Sequence, residues 1–369
     1  MKFCQLDTVV IGGGIVGLST AIGLLQAGLE VTILDGADSD LRASHGNFGL
    51  IWLQGKGAQY GAYAKWTSKA VNLWPEFAKL LNEETGVDVS LRQQGGYELF
   101  TDEGEFSRFA NELSDQQKIL GADFEYEIMN GSSMRKKFPK IGPGLVGATF
   151  SPHCGDVNPL KLLTAMRIYF SKLGGRLISE FKVSHLLPFA DEFIIKSPNN
   201  SQIIANRVVL CAGLGTTELG KQLGFKTEVH SQRGQLLITE KILPTLPFTS
   251  STLRQVDEGG IQVGGTNEVV QYDDRETVKI TAKLAHHAVT IFPSLKDVKI
   301  IRSWAALRVQ TPDGYPVYAK SPLHKNAFLI TCHSGVTLAA VHTDCLASWI
   351  LDKNNAPDLG GLDETRFAL

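Results

Sequence analysis

The run Thr8-Val-Val-Ile-Gly-Gly-Gly-Ile-Val-Gly-Leu18 joins a β-branched stretch to a glycine triplet and then to an apolar stretch. Gly12-x-Gly14-x-x-Gly17 at such a junction can hold a pyrophosphate. The first glycine permits a tight turn, the second lets the backbone approach the phosphates, and the third lets helix and strand pack closely. Free N–H groups and the helix dipole then favour negative charge. Ile15, Val16 and Gly36 flank these positions and belong to the same cradle. Asp35 closes the next β-branched run, where its carboxylate can accept hydrogen bonds from ribose hydroxyls. An acid there disfavours a 2′-phosphate. The pattern calls for a dinucleotide and leaves open which one.

These residues need a strand, a helix and a second strand to position them. Thr8 to Ile11 reads as a buried strand, Gly14 to Ala27 as a helix stopped by Gly28, and Val31 to Leu34 as a strand. Further helices are predicted over 62–84, 103–120, 159–172, 277–292 and 336–351, the third opened by Pro159. Strands are predicted over 96–101, 148–151, 176–178, 182–189, 193–196, 207–210, 234–239, 251–256, 261–264, 298–307 and 327–331. The fold class expected is α/β: a Rossmann-like dinucleotide domain from 1–61, 152–215 and 321–369, interleaved with a mixed, largely antiparallel domain from 62–151 and 216–320.

Composition sets outer limits. A chain of 369 residues with 43% hydrophobic and 20% charged residues is an ordinary globular protein. A net charge of −2 and the lack of any basic block give no footprint for nucleic acid. Cys4, Cys154, Cys211, Cys332 and Cys345 are odd in number and widely spaced, against a disulfide framework or a zinc site. A reducing cytoplasm is expected, with peripheral attachment to the inner membrane face left open. Residues 8–29 are long and apolar enough for a membrane span, but six glycines interrupt them.

Later segments carry a family resemblance. In order they are Arg42-Ala43-Ser44 with Asn47-Phe48-Gly49-Leu50, Gly155-Asp-Val-Asn-Pro159, Val208 to Ala212-Gly213, Arg233-Gly-Gln235, Ile261 to Thr266, Trp304 to Arg308 with Thr311 to Pro316, and His333-Ser334-Gly335-Val336-Thr337-Leu338. With the glycine fingerprint, their shared order resembles the FAD-dependent oxidoreductases of the D-amino-acid oxidase, glycine oxidase and sarcosine oxidase superfamily, nearest to dehydrogenase subunits acting on D-hydroxyproline and opines. The resemblance covers nearly the whole chain and implies FAD. It places Arg42 to Leu50 and Ala212-Gly213 against the cofactor, and the Val183 backbone at the adenine. It aims the helix entered through Ser334 to Leu338 at the flavin N1–C2 carbonyl, where reduced flavin carries charge.

The resemblance also implies oxidation of a small amino or imino acid, by hydride transfer from Cα to flavin N5. Arg308 stands where relatives hold the substrate carboxylate, a task suited to a bidentate guanidinium. The second arginine of glycine oxidases is missing before the last helix, so Arg254 is a candidate replacement, with a sheet-edge charge as its other reading. His333 is a site candidate or a helix cap. Trp52, with Gln54, is a candidate for the cavity wall or the core. His45 falls one position off the histidine that carries flavin covalently in some relatives, and Ala306 replaces the attaching cysteine, so FAD is expected to be non-covalent. Gln262 stands near the place of an oxygen-activating lysine, which favours a dehydrogenase. The electron acceptor is left as a quinone, a partner subunit or oxygen, and homo- or hetero-oligomers are open. A 2-hydroxy-acid dehydrogenase and a subunit active only inside an electron-transfer complex are the alternatives.

Overall fold

The structure, a computed structural model, describes residues 5–36 and 43–368. Arg42 and Cys4 lie outside the described residues. The first β-branched run forms the strand Gln5–Ile11, held between Val31–Leu34 and Gln202–Leu210, both parallel to it. Arg176–Ile178 extends the parallel set on one side and Ala327–Thr331 on the other. Val317–Lys320 closes that second edge as an antiparallel partner, and the hairpin His185–Phe189 with Glu192–Lys196 adds to the front of Gln202–Leu210, making eight strands.

The sheet is apolar in its centre because both faces are covered, the usual condition for parallel strands. Alternation sends Val10 and Ile33 to one core, and Val9, Ile11 and Leu34 to the other. Helix α1 (Ile15–Gln26) follows the glycine turn and is buried along most of its length. Helix α2 (Gly61–Thr85) lays Trp66, Val71, Trp74 and Leu81 into the same core. Helices α3 (Glu103–Leu120) and α4 (Gly131–Lys137) are capped by Asp102 and Asn130. Helix α5 (Pro159–Lys172) has the expected N-terminal proline, and Asn158 accepts from the N–H groups of Leu160 and Lys161. Short α6 (Thr216–Lys221) and α7 (Val278–Ile291) lead to α8 (Gly335–Ile350), which packs on α1 and α2.

A second body of strands stands over the opening of this sheet. Its five-stranded antiparallel sheet pairs His230–Thr239 with Ile300–Gln310, Ile261–Val263 and Glu268–Val269, with Leu253–Gln255 outside Ile261–Val263. A four-stranded sheet combines Thr249–Ser250, Gly96–Phe100, Gly147–Ser151 and Glu127–Asn130. A third core joins the two through Leu99, Leu237, Val263, Leu284 and Ile291. The mixed α/β class expected from the sequence is the one observed.

Several details differ from the sequence expectations. Helices α4 and α6 and the strands Glu127–Asn130 and Val317–Lys320 are additions to the expected elements. They are too short for periodicity to register. Val317–Lys320 belongs to the eight-stranded sheet, so that sheet resumes before the boundary drawn at 321. Helix α2, assigned to the inserted portion, buries its apolar stripe against α5 and α8. Residues 8–29 are divided between a strand and α1, and no described helix is long and apolar enough to cross a membrane.

Candidate active site

The glycine turn shapes one wall of a cavity of about 550 Å³ at the C-terminal ends of the parallel strands. Gly12 adopts φ +108°, and a Cβ on it would lie 2.3 Å from the Cys211 carbonyl oxygen. A Cβ on Gly17 would lie 1.9 Å from the Gly12 oxygen. Both positions therefore require glycine. Gly14, the N-cap of α1, has no side chain to cap the helix and the first turn holds no acidic residue, so the positive end of α1 faces the cavity. Ser44 Oγ accepts from the Ile15 N–H at 3.1 Å, and Asp35 Oδ2 from the Gly13 N–H at 2.7 Å.

Fifteen of the residues expected to bind cofactor line this cavity. They are Gly12, Gly14, Ile15, Val16, Gly17, Asp35, Gly36, Ala43, Ser44, Asn47, Val183, Ala212, Gly213, Gly335 and Val336. Phe48, Leu50, Ser334 and Thr337 instead line a second cavity, of about 410 Å³. Gly49 and Leu338 line neither. Gly49 is a backbone device: its φ is +89°, its N–H donates to Asn47 Oδ1 at 2.6 Å, and its carbonyl accepts from Val157. Leu338 is fully buried in α8.

The cavities share Ala43, Asn47, Val309, Cys332, His333 and Val336, so a group seated in one reaches the other. His333 therefore stands at the boundary. Burial, with the nearby charges of Lys56 and Arg308, pushes its pKa well below the ordinary value and leaves a neutral imidazole. Arg308 enters the second cavity from the strand Ile300–Gln310. One nitrogen donates to the Thr266 carbonyl at 2.6 Å, and no described carboxylate forms an ion pair with it. Trp52 lines the same cavity and also packs in the core. Its indole N–H donates to Glu98 Oε1 at 2.8 Å.

Arg254 is a correction. It lines neither cavity, because its donors are used internally. Nη1 bonds Asp156 Oδ1 at 2.9 Å and the Val157 carbonyl at 3.1 Å, and Nε bonds Gln262 Oε1 at 2.8 Å. Asp156 also takes Arg92 at 2.7 Å and the Thr249 hydroxyl. Arg254 is thus a buried staple between segments. Gln262 is occupied by it and also lies outside both cavities.

Two charged residues of the second cavity escaped the sequence reading. Lys56 donates to Ser334 Oγ at 3.1 Å, and that oxygen also accepts from the Tyr63 hydroxyl at 2.9 Å. Glu98 is held by Trp52 and by the Ser251 hydroxyl. Burial pushes its carboxyl up to about 7, against the pull of Ser251, Trp52 and Lys56. Both left a signal. Glu98 is the only charge in the strand Gly-Tyr-Glu-Leu-Phe, and Lys56 sits between Gly55 and Gly57.

Residues 7–349 match the family model described as FAD-dependent oxidoreductase (DAO). The chain is 37% identical over 364 residues to an opine oxidase subunit of Rhizobium meliloti, covering 98% of each chain. Its fold matches that of glycine oxidase from Geobacillus kaustophilus, with a TM-score of 0.87 and 21% identity, over 98% of this chain and 99% of that one. L-proline dehydrogenase from P. horikoshii matches with a TM-score of 0.83 and 24% identity, over 99% and 98%. The chain belongs to the DAO family of FAD-dependent oxidoreductases.

Proposed function

We propose that this enzyme oxidises the C–N bond of a small amino or imino acid, with Arg308 holding the substrate carboxylate. The observation that carries this is the position of Arg308: a guanidinium without an ion-pair partner among the described residues, in a cavity that shares a wall with the dinucleotide cavity. The chain's residues fit FAD. The glycine turn leaves no room for a Cβ, and α1 and α8 both begin at the larger cavity. FAD, when bound, supplies acceptance of a hydride from Cα at N5. Loss of that hydride and of a nitrogen proton leaves the C=N bond of the imine.

The protein's part is to bind, orient and hold protons. Arg308 fixes the carboxylate. Glu98 accepts from the substrate nitrogen. His333 stays neutral beside the reacting group. The α8 N-terminus favours negative charge at the cavity boundary. FAD is held non-covalently: burial pushes the Cys332 thiol up to about 12, so no thiolate forms beside the cavity, and Ala306 offers no nucleophile. The substrate is drawn from D-hydroxyproline-like and opine-like compounds, the latter supported by the 37% identical relative.

The test is anaerobic flavin bleaching of the FAD-loaded protein by D- and L-proline, hydroxyprolines, glycine, sarcosine and N-(carboxyalkyl)amino acids, with 2-hydroxy acids as controls. Bleaching by an amine supports the reading, and bleaching only by hydroxy acids defeats it. The relative's designation as a subunit also favours work within a hetero-oligomer. Reoxidation by a partner subunit but not by air would support that arrangement.

A further inference from the structure

Lys56 enters the second cavity from a turn whose flanking glycines, Gly55 and Gly57, adopt φ +75° and +67°. A Cβ on Gly57 would lie 2.5 Å from the Ala64 nitrogen, so the turn is pressed against the start of α2. The ammonium bonds Ser334 Oγ, and no described carboxylate forms an ion pair with it. Arg308 is in the same condition on another wall. Glu98 is the single carboxylate among the cavity's lining residues, and both its oxygens already accept hydrogen bonds.

The cavity therefore carries two cations, one carboxylate and a neutral histidine, with the positive end of α8 at its edge. Unpaired buried charge is costly, so a bound ligand is expected to supply the missing anions. Glu98 is the carboxylate of the described residues whose charge reaches Lys56, and once it takes the substrate ammonium a monocarboxylate on Arg308 leaves Lys56 uncompensated. We propose that Lys56 is a second carboxylate anchor, the residue that selects, among the substrates named above, secondary amines bearing two carboxylates. Arg308 takes one carboxylate, Lys56 the other, and Glu98 the ammonium. The assignment rests on the C–N oxidation proposed above and narrows its substrate class. A lysine serving only to neutralise reduced flavin would not distinguish one carboxylate from two.

The test compares two anions without a C–N bond, thiodiacetate and (methylthio)acetate, binding to the FAD-loaded protein by calorimetry. Thiodiacetate is expected to bind on the order of ten- to hundredfold more tightly, as a buried charge-assisted hydrogen bond provides. Lys56→Met, with Lys56→Gln as a second variant, should erase that preference and leave (methylthio)acetate affinity within about threefold. Equal affinities in the unmodified protein overturn the proposal even if neither variant folds. Equal weakening of both anions in the variants overturns it too. Flavin bleaching by iminodiacetate and sarcosine separates the two levels of the claim. Bleaching by both without preference removes the second anchor alone. No bleaching by either, with the preference for thiodiacetate intact, defeats the C–N oxidation and keeps the anchor.

Discussion

The larger cavity owes the shape of its glycine wall to missing side chains, and the smaller one owes its character to a few long charged and aromatic side chains. Gly12, Gly14, Gly17, Ala212, Gly213 and Gly335 give the first its shape by lacking bulk. Lys56, Glu98, Trp52 and Arg308 give the second its character by reaching in from three separate stretches of chain. A ligand common to many enzymes can be met by backbone geometry, whose donors do not change with side-chain identity. A particular substrate needs charges at chosen points, and those are interchangeable in sequence without loss of fold.

Substitutions that break this contrast should act on different observables. The largest effect is expected from Gly12→Val, where backbone and Cys211 forbid a side chain. The purified protein should lose its flavin, read as the ratio of visible to ultraviolet absorbance, whereas changes in the smaller cavity should leave that ratio intact. Next is Arg254→Met, which strips Asp156 of a buried partner. A stability loss of about 3–5 kcal/mol is expected by denaturant titration, with the Michaelis constant of the folded fraction unchanged. A raised Michaelis constant would return Arg254 to the site.

Arg308→Ala should raise the Michaelis constant by roughly ten- to hundredfold, the cost of one charge-assisted anchor, with flavin content preserved. Glu98 offers a pH signature. Its carboxyl is raised by burial to about 7, so it binds its proton more tightly folded than unfolded. Its contribution makes stability fall as pH rises from the ordinary carboxylate range toward 7, and level off above. In kcat/KM, ionisation of Glu98 should give a rise centred near pH 7, and Glu98→Gln should flatten it. The smallest effect is expected from Trp52→Phe. It removes one hydrogen bond to the ionised carboxylate and should move that rise upward by less than about one pH unit.

The same contrast explains what the sequence made legible. The fingerprint from Gly12 to Gly17, Asp35, and the segments at Ala43, Ala212 and Gly335 are local patterns with local geometric reasons, and the structure gathers them around one cavity. Long helices such as α3 and α5 were legible over their whole length, α5 with its opening proline. Lys56 and Glu98 did not, because only folding brings the turn before α2 against Gly96–Phe100. Arg254 misled for the converse reason. A charge in a short strand reads as available, and only the structure shows Asp156, from a distant segment, absorbing it.

Helices α1 and α8 lie so close that a Cβ on Gly23 would come 2.4 Å from the Thr343 carbonyl, and one on Gly335 would come 3.0 Å from a Val16 methyl. Both helices begin at the larger cavity. Gly23 lies about 12 Å along the axis from the start of α1, at about 1.5 Å per residue. The pair behaves like the two blades of a forceps joined near the handle. Spreading them there, as Gly23→Ala would, opens the grip at the tips, and a residue that touches no ligand thereby sets how firmly the two ends of the cofactor cavity face each other.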